Sequence, residues 1–184
     1  MPTLKSRFDL ARHFASLGFK VGAEIGVAAG DYSEALCKHI PGLELYCIDP
    51  WQRYEDNPRG GSAGRQANNL QTAVEKLRPY NTHIIQLKSM DALGAVKDES
   101  LDFVFIDGHH DYEYIKDDLV WWSTKVRKGG IVSGHDYYHF DKSGVVEAVD
   151  WYAENTGQDL NIIPEDPRRS KRDDTHPCWW WVKP

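Results

Sequence analysis

Three short runs of the 184-residue chain gather the residue types that catalysis uses: EIGVAAG at 24–30, DGHHDY at 107–112 and GHDY at 134–137. In the first, Glu24 precedes Gly26 and Gly30, with the small Ala28 and Ala29 between them. Glycine adopts backbone angles closed to other residues and lets a ligand approach closely. A helix opening after such a turn offers unpaired amides. Glu24 selects the ligand's sign, because a carboxylate there repels the pyrophosphate of a dinucleotide but attracts an amino group. Asp49 lies 25 residues beyond Glu24, where its carboxylate can accept hydrogen bonds from both hydroxyls of a ribose. The glycines at 22, 26 and 30 do not form the dinucleotide GxGxxG pattern. An adenine nucleoside cofactor with an amino group is the expectation.

The other two runs bring acids and histidines together. Asp107 follows the apolar LDFVFI, and His135 and Asp136 follow IVSG. Neighbouring strands lie about 5 Å apart, so Asp107 and Asp136 can share a cation with His135 as third ligand. Two partly buried carboxylates otherwise repel or retain a proton. An imidazole in the set admits manganese, iron or zinc as well as magnesium. Metal-free polar catalysis and purely structural hydrogen bonding remain open on the residues alone.

These runs need a scaffold that aligns strand ends. Phe8, Ala11, Phe14 and Leu17 recur at helical spacing before Gly18. Short apolar runs at 21–25, 43–48, 83–87, 101–107 and 131–134 read as buried strands. Helices read between them: one from an Asp31 cap with Glu34 as its capping-box partner, one through Leu70, Val74 and Leu77, and one through Ile115, Leu119, Trp122 and Val126. Val145, Val149 and Tyr152 mark a further helix, 160–163 a sixth strand and 178–183 a seventh, antiparallel one. This alternation predicts a three-layer Rossmann-like α/β fold with a mostly parallel sheet. Ligands in such sheets bind beyond the carboxyl ends of the strands, where all three polar runs fall. Residues 1–184 read as one domain, with a Gly- and Pro-rich lid at 51–64.

Composition narrows the classes. The 28 acidic and 22 basic residues give a net charge of -6, which disfavours a nucleic-acid backbone as partner. No apolar run is long enough for a membrane span, and the amino end is mixed and charged, so cytoplasm is the expected compartment. Cys37, Cys47 and Cys178 form no CxxC pair and read as ordinary thiols. Trp51 reads as a cofactor cover or an edge-packing residue. Trp179, Trp180 and Trp181 read as sheet packing or burial in a homo-oligomer contact rather than a substrate platform. The basic run at 167–172 reads as a solvated loop.

ExGxxxG at 24–30 with Asp49 resembles the cofactor site of class I S-adenosylmethionine (SAM)-dependent methyltransferases. DGHHDYEYIKDDL at 107–119 and GGIVSGHDY at 129–137 resemble methyltransferase family 24, related to macrocin-type O-methyltransferases and cephalosporin-hydroxylase-like proteins. The resemblance implies a seven-stranded sheet with an antiparallel last strand. It assigns the turn at Glu24, Gly26 and Gly30 to the aminoacyl end of SAM, Asp49 to its ribose, and Ser89, Met90 and Asp91 to the adenine side. Met90 reads equally as a core residue. Asp107 enters both the cofactor and the metal set. Relatives bind a divalent metal through an acid matching Asp107 and a later acid pair, here His135 and Asp136. His110 matches the histidine of DGxHxY and is the implied base, with Asp107 and Asp136 beside it. Tyr112 and Asp118 also match the pattern, with packing or helix orientation as their plainer role. The expected function is methyl transfer to a small-molecule hydroxyl. The alternatives are N-methylation, an NAD-dependent oxidoreductase and a non-catalytic cofactor-binding module.

Overall fold

The structure, a computed structural model that describes residues 3–52, 62–140, 143–165 and 176–184, alternates strands and helices along the chain. β1 (Val21–Ile25), β2 (Glu44–Ile48), β3 (Asn81–Ile85), β4 (Leu101–Ile106) and β5 (Val126–Gly134) run parallel in the order β3-β2-β1-β4-β5. β7 (Cys178–Val182) pairs antiparallel with β5 and with β6 (Asn161–Ile163), completing a seven-stranded sheet. This is the mostly parallel sheet with an antiparallel last strand that the sequence predicts.

Helices cover both faces. α1 (Arg7–Ser16), α2 (Asp31–His39) and α3 (Ala63–Leu77) pack on one, and α4 (Tyr112–Lys125) and α5 (Val145–Thr156) on the other. α1 starts where the Ser6 hydroxyl accepts from the Asp9 amide at 3.2 Å. Its apolar stripe then lays Phe14 on Phe103 of β4, with ring centres 4.3 Å apart. Strand alternation sends Trp179 and Trp181 to the α4–α5 face and Trp180 to the α1–α3 face. All three indoles are buried, so the run is sheet packing and offers no platform. Among the described residues no helix is long and apolar enough to cross a membrane.

The structure corrects two local expectations and overlaps a third. Gly30, at φ 77°, is the N-cap of α2 and makes no side-chain cap bond. Glycine accepts the left-handed angle the turn needs, so the helix starts without a capping box. Asp31 instead pairs with Lys76 of α3, and Glu34 with Lys38 at 2.9 Å. β5 begins at Val126, directly after α4, because the Gly129–Gly130 pair sits within the strand and is absorbed as a register shift opposite Leu101 and Phe103. The lid expected at 51–64 overlaps the start of α3, capped by Ser62. Residues 53–61 of it, and the basic run at 167–172, lie outside the described residues.

Candidate active site

The sheet reverses its order of connection between β1 and β4, and the polar runs converge there. Each parallel ladder continues one residue past its strand. Asp49 N donates to Ile85 O (3.2 Å), Gly26 N to Ile48 O (2.8 Å), Asp107 N to Ile25 O (2.7 Å) and His135 N to Ile106 O (3.0 Å). Gly26, Asp49, Asp107 and His135 are thereby fixed side by side. A cleft of about 660 Å³, a size that suits a small ligand, opens over Gly26, Asp49 and Asp107.

One half of the cleft is built on the glycine turn. Gly26 sits at φ 89°, and a Cβ there would lie 2.0 Å from the Asp107 carbonyl oxygen. Glycine is required by the neighbouring β4 loop rather than by bulk in the cleft. Glu24 is buried and accepts a hydrogen bond from the Ser33 hydroxyl. Burial pushes its carboxyl up to about 8, although Ser33 and Arg7 pull it down, so its surroundings favour the neutral form. The Asp49 carboxylate accepts from Val27 N (3.0 Å), Ala28 N (2.9 Å) and Trp51 N (2.6 Å). Burial still raises it above the ordinary value against these three bonds. Asp49 thus ties the turn to β2 while lining the cleft. Trp51 is buried, and its Nε1 donates to Ala28 O at 2.8 Å, so it packs the turn from behind.

The other half is a charge cluster. His110 Nε2 lies 3.0 Å from Asp136 Oδ2 and 3.7 Å from Asp107 Oδ1. His135 Nδ1 lies 3.1 Å from Asp136 Oδ1 and 3.7 Å from Asp107 Oδ1. Asp136 takes the left-handed backbone region at φ 56°, which is uncommon for a residue with a Cβ and recurs at functional sites. Burial alone would raise both carboxyls, but the two imidazoles outweigh it: Asp107 falls to about 2, and Asp136 also lies below its ordinary value. Burial would likewise lower His110, but the two acids raise it to about 9. The two acids therefore favour the protonated form of His110.

Ligand atoms of Asp107, His110 and Asp136 all fall within 4.8 Å of one another, which fits a divalent cation. The converging trio contains His110 where the sequence-derived set has His135, which touches the same two acids from the buried side. His109 is buried, stacks on Tyr114 at 4.1 Å and accepts from the Asp111 amide. Ser89 lines the cleft, whereas Met90 packs against the α4-side core. Asp118 is buried in the cleft wall, and burial raises its carboxyl to about 7 against a hydrogen bond from Ser89. Sequence reasoning missed Ser33 and Arg7. Ser33 faces Glu24 from the first turn of α2, and Arg7 reaches Asp107 from 100 residues away.

A methyltransferase-domain family, family 24, matches residues 23–137. The uncharacterized protein y4gI of Sinorhizobium fredii (strain NBRC 101917 / NGR234) is 23% identical over 117 residues, 64% of this chain but only 12% of that protein. Among solved structures, an O-methyltransferase from Bacillus cereus in complex with SAH is 14% identical, covering 96% of this chain and 80% of that one at a TM-score of 0.67. The O-methyltransferase TomG from Streptomyces achromogenes, involved in tomaymycin synthesis and solved with SAM, is 17% identical with coverages of 97% and 80% and a TM-score of 0.66. Precorrin-6y C5,15-methyltransferase from Geobacter metallireducens GS-15 is 12% identical with coverages of 95% and 87% and a TM-score of 0.63. At these identities the solved structures establish the shared fold. The family match spans more than half of the chain and contains the glycine turn and both acid and histidine runs, so the chain belongs to this methyltransferase-domain family.

Proposed function

We propose that this domain transfers the methyl group of SAM to a small-molecule hydroxyl. The observation that carries the reading is the facing of Glu24 and Asp49 across the switch point from the Asp107, His110 and Asp136 cluster in one cleft. The solved O-methyltransferases of the same fold, with SAM or SAH bound, support it. Burial disfavours the charged form of Glu24, and an arriving ammonium group would offset that cost by stabilising the ionised carboxylate. Asp49 retains acceptor capacity beyond its three amide bonds, enough for ribose hydroxyls.

When bound, SAM supplies an electrophilic methyl on a good sulfonium leaving group, and a divalent cation supplies a Lewis acid that eases deprotonation of a hydroxyl. The chain's own residues align and neutralise. Glu24 and Asp49 anchor the two ends of the donor, which holds the reacting centres in line. Asp107, His110 and Asp136 would hold the cation, through ligand atoms that lie within 4.8 Å of one another. As a ligand, the His110 ring nitrogen would carry no proton, so this histidine would not be ligand and proton carrier at once. Without a cation, the imidazolium loses its proton before it accepts one from the acceptor. In either case an O–C bond forms, the S–C bond breaks, and the hydroxyl proton leaves through the cluster to solvent.

The reading treats residues 1–184 as one cytoplasmic domain. Calorimetric titration with SAM, SAH and NAD, followed by labelled-methyl transfer to a panel of sugar, polyol and phenolic acceptors, tests it. Binding of SAM and SAH without NAD, and label on a hydroxyl, are expected. NAD binding in preference to SAM overturns the cofactor, label on nitrogen overturns the acceptor atom, and SAM binding without turnover on any acceptor favours a binding module.

A further inference from the structure

Arg7, the first residue of α1, brings to the cleft a cation that no motif foretells. Its guanidinium carbon lies 4.8 Å from the centre of the Tyr32 ring, and its Nη1 lies 3.5 Å from Asp107 Oδ2. The Tyr32 hydroxyl donates back to the Arg7 carbonyl at 2.9 Å, which clamps the start of α1 to α2. The arginine side chain is only 16% exposed. An aromatic face and a neighbouring acid thus restrict its rotamers before any ligand arrives, which lowers the entropic cost of using it.

Arg7 and Glu24 both line the cleft, and the guanidinium acts on the Glu24 carboxyl to lower it against burial. A buried carboxyl and a prepositioned guanidinium at one end match the two charges of an α-amino acid. The contact to Asp107 is long for a charge-assisted hydrogen bond, and a guanidinium has five N–H donors. We propose that Arg7 binds the α-carboxylate of the aminoacyl end of SAM while Glu24 faces its ammonium. This assignment rests on the cofactor reading above. It makes Arg7 a binding residue for the donor rather than for an acidic group on the acceptor.

The test is calorimetric titration of wild type, Arg7→Met and Arg7→Lys with SAH and with 5′-deoxy-5′-methylthioadenosine, which keeps the nucleoside but lacks the aminoacyl end. Methionine preserves much of the stem packing on Tyr32 while removing the charge. Arg7→Met is expected to weaken SAH by about 10- to 100-fold, the range of a charge-assisted pair, and to leave the thioadenosine within about twofold. Arg7→Lys is expected to regain part of the SAH affinity. Retained thioadenosine binding also reports that the variant's pocket is folded. Equal weakening of both ligands, or unchanged SAH affinity with a raised KM for an acidic acceptor, overturns the assignment alone. Failure of folded wild type to bind either ligand overturns the cofactor reading and this assignment with it.

Discussion

The two halves of the cleft satisfy their carboxylates by opposite means. Glu24 and Asp49 are met by donors that do not titrate, the Ser33 hydroxyl and the amides of Val27, Ala28 and Trp51, and burial raises both acids above their ordinary values. Asp107 and Asp136 are met by titratable imidazoles, with Arg7 also on Asp107, and both acids are pulled down. A carboxyl in fixed dipoles keeps its place for the donor, the ammonium at Glu24 and the ribose hydroxyls at Asp49, whereas a carboxyl among imidazoles already holds charge that protons or metal ions can replace. Donor binding and chemistry should therefore separate under mutation and pH.

The largest effect is expected at the charged half. Asp136→Asn should lower kcat by about 10²- to 10⁴-fold, while SAH affinity by calorimetry stays within about threefold. A parallel loss of SAH binding would merge the halves. Next, Glu24→Gln should weaken SAH by about 10- to 100-fold. The Glu24 carboxyl is raised from 4.5 to about 8 in the folded chain, so its contribution to stability is full below pH 4.5 and is lost as pH rises through 8. Urea midpoints measured across that window should fall less steeply in Glu24→Gln than in wild type.

His110 gives the intermediate effect. It is raised from 6.5 to about 9, so its stabilisation is full below pH 6.5 and is lost as pH rises through 9. His110→Gln should flatten the stability profile in that window. Titration of wild type with Mn²⁺ in buffers of different ionisation enthalpy should release about one proton per cation. No proton release would place the cation away from His110. The smallest effect belongs to the support of the turn: Trp51→Phe loses the hydrogen bond to Ala28 O and should cost about 1 kcal/mol in chemical denaturation.

Much of this comparison was legible in the chain before its fold was seen. Apolar runs located β1, β2 and β4, and the acids at their ends marked the cleft, because parallel strands turn sequence-local endings into spatial neighbours. The three tryptophans followed strand alternation to opposite faces. Less visible were features set by side-chain reach. His110 joins His135 on Asp107 and Asp136 from a different strand end, a meeting set by side-chain reach that the residue types do not mark. The α2 cap moved to Gly30 because a left-handed turn outweighed the capping preference of Asp31. Arg7 stood outside every motif, since a helix that precedes β1 carries no periodic sign that its first side chain crosses to β4.

A crystal structure grown with SAH tests the central claim most directly. The account predicts the aminoacyl end between Glu24 and Arg7, the ribose at Asp49, and the sulfur facing the Asp107, His110 and Asp136 cluster. SAH seated away from the glycine turn, or with its sulfur directed away from that cluster, would contradict it.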